Sequence, residues 1–355
     1  MSALFLLALL VGTIGWIALP LLPAVRELLR PTDAGPLTQV GQDSGDLAIF
    51  AEGFRRYLSS EMSLPADSGQ ATYGQLRDGT PHLELAGDAM ALRQATAADG
   101  TVGCVVTSAR AIELPGGETF LYEVCVRDRF TGGADAAYRA LLTERDAQLG
   151  PRSRVLRWLH VEGDVVVGEG SDLMGRASSS GTMRLGEGVR FTRLRAARIL
   201  AGSGEPDEPQ VPPPVIQNTV KLPRTARQLR AFVRVDGDLV IAAGATFPGT
   251  LVVRGHVRIG DGARIGGSIK AHGDCVLGAS AVVNGSVVAR GDVHLGASSR
   301  VGAPVIAEGR ATVGEGAAIG NAMGPASLVA DAAVLHRGAQ IFGCVSARLG
   351  GETVT

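Results

Sequence analysis

The sequence predicts a mainly β chain whose larger part is a parallel β-solenoid. Three observations carry this. Glycines recur every 18 residues, at Gly163 and Gly181 and again at Gly237, Gly255, Gly273, Gly291 and Gly309. Aliphatic residues keep step with them. Only 4% of the 355 residues are aromatic while 49 are glycine, so the core must be thin and the chain must turn often.

The first element is "ALFLLALLVGTIGWIALPLL", Ala3 to Leu22, which holds no charge. About 20 such residues at a 1.5 Å rise span a bilayer core of ~30 Å. No Lys or Arg precedes the run and no small-x-small cleavage site follows it. Residues 1–25 are therefore expected to be a transmembrane anchor, not a cleaved signal peptide. Arg26 and Arg30 follow it. By the positive-inside rule the body then lies on the cytoplasmic side of an inner membrane. Residues 26–45, with "PTDAGPLTQVGQDSG", read as a linker.

Residues 46–150 read as a small α+β domain. Leu47, Phe50, Phe54 and Leu58 recur at helical spacing, with Asp46 or Ser44 placed to cap. "TVGCVVTSARAIEL" and "ETFLYEVCVRD" flank the turn signal Pro115–Gly117 and read as a hairpin, with Cys104 opposite Cys125. A second helix is expected over Ala134–Leu149, stopped by Gly150-Pro151. Glu123, Asp128, Glu144 and Asp146 read as solvated charges. The segment shows no phosphate loop, nucleophile–base pair or metal spacing.

From residue 151 to 350 the 18-residue repeat takes over. Four residues after each anchor glycine stands an aliphatic: Val167, Leu185, Ile241, Ile259, Leu277, Leu295, Val313. Six further on comes a second apolar column, Leu173, Phe191, Phe247, Ile265, Val283, Val301, Ile319. Six beyond that lies a smaller one, including Ala197, Val253, Ala271, Ala289 and Ala307. Eighteen residues in sixes make three short strands and three corners per coil. An eighth, degenerate copy begins at Asp331, with Leu335 and Ile341 in the aliphatic columns. Eight coils at ~4.8 Å give a rod of roughly 38 Å. The Pro-rich, acidic stretch 202–228 is expected to leave the rod as a loop, since Pro cannot donate to a ladder. Arg290-Gly291-Asp292 then reads as one coil corner, its charges facing water, and not as an adhesion motif.

The long run from Val235 to Gly302, and "VNGSVVARGDVHLG" within it, resembles the bactofilins, polymer-forming cytoskeletal proteins. That resemblance implies a right-handed coil and end-to-end polymerisation without nucleotide. It also implies, for some members, membrane attachment and the positioning of envelope-synthesis enzymes. The apolar N-terminus and residues 46–150 depart from the compact bactofilin pattern. "VRIGDGARIGG" and "ATVGEGAAIGN" also fit the beat of hexapeptide acyltransferases, which often use a histidine as general base.

Site expectations follow from this. A solenoid end exposes strand edges and an open apolar core, which invite stacking. Leu335, Ile341 and Phe342 in the last coil are the expected self-association residues, and the chain's own copies the expected partner, beside an envelope-associated protein. No catalytic, cofactor or metal site is expected. His82, His160, His256, His272, His294 and His336 never stack 18 apart. Cys104, Cys125, Cys275 and Cys344 form no CxxC pair. The net charge of -1 gives no field for nucleic acid.

Overall fold

In the computed structural model, each turn of the chain lays one short strand on each of three parallel sheets, here faces A, B and C. The structure describes residues 47–61, 70–87, 89–202, 218–219, 222–229 and 231–354. The anchor and linker expected over 1–45, and most of the Pro-rich insertion, lie outside the described residues. Among the described residues, no helix is long and apolar enough to cross a membrane.

The inward residues of face A can be followed strand by strand. They run Leu83, Val106, Val124, Leu141, Leu159, Ala177, Leu194, then Val345, Leu328, Val305, Val287, Ile269, Leu251, Val233. Every step is parallel except one. Arg190–Ala201 pairs with Gln340–Val354 antiparallel. The rod is therefore two half-rods, residues up to 202 and residues from 218, sealed together at their C-terminal coils.

Faces B and C cross the same seam. On face B, Ile199 meets Ile341; on face C, Phe191 meets Gly351. The first half visits the faces in the order C, A, B, with Phe120, Val124 and Phe130 as one example. The second half visits C, B, A, with Val257, Ile265 and Ile269 as an example. It also advances along the axis in the opposite direction. Reversing both circulation and advance leaves the hand unchanged, so both halves wind with one hand.

The turns number about 13, not the eight expected. The solenoid starts well upstream of residue 151, and residues 101–150 are coils of it, not a separate α+β domain. Ala134–Leu149 is not helical: it forms strands Ala137–Thr143 and Ala147–Leu149. Six of the seven residues of AYRALLT are buried, because α1 covers its outer side, so it lacks the alternation of a half-exposed strand and its pattern does not distinguish helix from strand. The expected hairpin is also corrected. Val106 pairs in parallel with Val124, so Pro115–Gly117 turns a coil corner. Cys104 packs in the core within the prism, and Cys125 packs in a separate cluster outside it.

That outer cluster belongs to α1, Ile49–Glu61, the helix expected from Leu47, Phe54 and Leu58. Its Ala51 and Leu58 pack with Val105, Cys125, Ala140, Leu142 and Trp158. Fully burying a Leu or Val side chain here stabilises by ~1.5–3 kcal/mol. A short helix, α2 at Met90–Ala95, puts Leu92 into the prism core beside Leu83 and Leu85 and plugs that end. Thr72–Gln75 adds an antiparallel edge strand outside Pro81–Leu85. At the far end Ala226–Gln228 does the same outside Val233–Val235, and Leu222 and Phe247 cover the core. About 13 turns at ~4.8 Å make roughly 60 Å.

Candidate functional site

The seam between the half-rods holds the residues expected for self-association. Ile341 is fully buried opposite Ile199. Leu335 is fully buried between Val313 and Thr353. Phe342 is half-buried, with the Arg198 guanidinium 5.8 Å from its ring centre. Arg198 also donates to Gln340 Oε1 at 2.8 Å. The edge these residues form is thus occupied by the first half-rod of the same chain.

The corners of the seam are closed as well. Thr353 N–H donates to Val189 O at 3.0 Å, and its Oγ1 accepts from Val189 N–H at 2.9 Å. The same hydroxyl donates to Gly186 O at 2.6 Å. Gly338 N–H donates to Ala201 O at 2.8 Å. These bonds pair backbone groups of both final coils at the corners, as buried peptide groups require.

The corner glycines reveal a second device. A side chain at Gly163, Gly181, Gly255, Gly291 or Gly309 would run into an aspartate of the coil before: Asp146, Asp164, Asp238, Asp274 or Asp292. Each of these carboxylates accepts the backbone N–H just after the glycine, as Asp274 Oδ1 does from Asp292 at 2.9 Å and Asp292 Oδ1 from Arg310 at 2.7 Å. At Gly273 the role falls to His256, whose Nδ1 accepts from Asp274 N–H at 3.0 Å. A side chain at Gly237, which opens the second half-rod, would meet nothing within 4 Å; there the φ of +111° favours glycine. The aspartates at these corners, expected only to face water, therefore also cap the next coil.

A polar cluster lies under α1. His160 Nδ1 is 2.8 Å from Ser178 Oγ, and its Nε2 is 3.3 Å from Glu162 Oε1. The order Ser–His–Glu is that of an acyl-transfer triad. Here, however, Ser178 is buried and donates to Leu159 O, and Glu162 is also bound by Arg55 of α1 at 2.8 Å. That guanidinium, with His160 and Ser180 adding to it, holds the Glu162 carboxyl below its ordinary range. The cluster fastens α1 to the sheet. Of the remaining histidines, His82 is buried against Thr107 at 2.7 Å, while His294 stands exposed on the outside of face C.

Comparison with family models, with curated proteins and with solved structures gives no match. The fold and its seam are the basis for a functional reading.

Proposed function

We propose that this chain is a bactofilin-like structural scaffold in which one polypeptide carries both members of a tail-to-tail pair. The seam is the observation that supports it: the solenoid edge that would otherwise recruit a second copy is satisfied internally, in all three faces. Such a chain acts as a finished rod. Further joining between copies is left to the distal edge strands, Thr72–Gln75 and Ala226–Gln228, which are short and mostly exposed. The Ala3–Leu22 segment would tether the rod to an inner membrane with its body in the cytoplasm, where it would hold an envelope-associated protein. No nucleotide or cofactor enters this reading.

The test is negative-stain microscopy with light scattering on residues 47–355, without nucleotide. The scaffold reading expects single rods of roughly 60–70 Å, alone or joined end to end. Discrete compact trimers would overturn it and restore the acyltransferase reading, in which subunits share a cleft.

A further inference from the structure

We propose that one flank of the rod, the outer side of face C near the seam, lies against an anionic lipid surface. On this flank the residue after each inward side chain points out: Leu121, Arg139, Leu156, Met174 and Thr192 on five successive coils. Leu349 continues the line across the seam, where it and Met174 line the same open groove of about 430 Å³. These apolar side chains are 47%, 43%, 52% and 71% exposed. They form a row along the axis, where scattered exposed leucines would need no explanation.

Arginines outnumber carboxylates around the row: Arg139, Arg154, Arg157, Arg190, Arg193 and Arg310 stand against Glu123, Asp172 and Glu352. Arg154 and Arg157 are exposed beside it, and Arg193 is exposed around the adjoining corner, in register with Arg176; these three make no ion pair among the described residues. Arg139 and Arg190 stand there too, held by Glu123 and Asp172. The chain as a whole is at -1, so the cationic flank is a local arrangement and not a reflection of composition. Apolar side chains flanked by arginines match the boundary of a bilayer carrying acidic headgroups, the apolar groups entering the interface and the guanidiniums meeting phosphate.

The path of the chain supports the same occupant. Arg176, two residues beyond Met174 on the same strand, lies 4.9 Å over the ring of Phe50. The first turn of α1, with Ile49 and Phe50 each 51% exposed, therefore adjoins the row. The described chain begins here, and the uncharged run Ala3–Leu22 lies upstream. A tether raises the local concentration of a surface for the membrane, so a weak contact suffices to lay the rod flat.

This deepens the membrane-tethered reading, and its test is separable from it. Residues 47–355 form one compact unit and lack the apolar segment, so they report on the flank alone. They are sedimented with vesicles of phosphatidylcholine, and with vesicles containing about one-third phosphatidylserine. The expected result is at least five-fold more protein on the anionic vesicles at low salt, falling at 0.5 M salt. R154E/R157E/R193E should abolish the difference. L156S/M174S/L349S should reduce binding several-fold, with melting temperature confirming that both variants fold. Equal weak binding to both vesicles overturns the proposal, as does full binding by the charge-reversed variant. Dimerisation lost in the same variants, without vesicle binding, would assign the flank to a second copy instead. Membrane fractionation of the full chain with and without residues 1–25 tests the anchor independently.

Discussion

Phe191 lies directly opposite Gly351 across the seam, and its ring fills the space that a side chain at 351 would need. The two half-rods differ in the bulk of their cores on this face. The first uses Phe120, Tyr138 and Phe191, with the first two rings stacked at 5.1 Å. The second uses Ala333, Ala311 and Cys275. Phe191 is where the aromatic-rich stretch of this face meets Gly351, Ala333 and Ala311.

That fit makes the seam testable. Gly351→Val should destabilise by about 1–3 kcal/mol through overpacking. Phe191→Ala should cost about 3–5 kcal/mol through a cavity. Combined, they should cost less than their sum, because the small residue at 191 makes room for the valine. Denaturant melts of the four proteins check this; strict additivity would mean the ring and position 351 do not share space.

The corner device predicts another coupling. Asp274→Ala removes a cap from Asp292 N–H and should cost about 0.5–2 kcal/mol, as at a helix N-cap. Gly291→Ala should be worse in the presence of Asp274 than in its absence, since the Asp274 carboxylate occupies the place of the new methyl. Equal cost in both backgrounds would argue against the carboxylate as the reason for glycine.

Acid should loosen the plugged end. Burial holds the His82 imidazole below its ordinary value of 6.5. The unfolded chain therefore takes up its proton at a higher pH than the folded chain does. Stability from this residue is complete above about pH 6.5 and falls as pH drops towards the depressed folded value. His82→Gln should flatten the stability curve in that window. An unchanged slope in the variant would place the acid sensitivity elsewhere.

Thiol chemistry should single out the seam. Burial pushes the Cys125 and Cys275 thiols up to about 12, and Cys104 is raised as well. Cys344 alone is half-exposed, opposite Arg195 on the antiparallel ladder. The native protein should react with a chromogenic disulfide at Cys344, and at the other three only on unfolding. Rapid reaction of Cys125 would show that α1 leaves the sheet.

These relationships were unequally legible in the sequence. The 18-residue columns from Gly163 to Gly309 place the later coils almost residue by residue, because strict period and small side chains leave one solution. The earlier coils have their own beat, Gly116, Gly133 and Gly150, spaced by 17, each stacked on the next. Register shifts at Phe120/Glu123 and Val155/Trp158 break the count there, and aromatic bulk disguises it. The α1 helix was legible from its apolar spacing. The seam was not. Leu335, Ile341 and Phe342 are visible as an end, but nothing local to a strand edge says whether its partner is another copy or Arg190–Ala201 of the same chain.

The most direct test of the seam is a distance. Gln75→Cys and Gln228→Cys place spin labels on the two distal edge strands, with Cys344→Ser removing the reactive native thiol. Joined tail to tail, the labels should lie roughly 70 Å apart, the sum of the strand spacings along face A. A distance under about 40 Å would mean that the half-rods pack side by side, and would contradict the continuous rod.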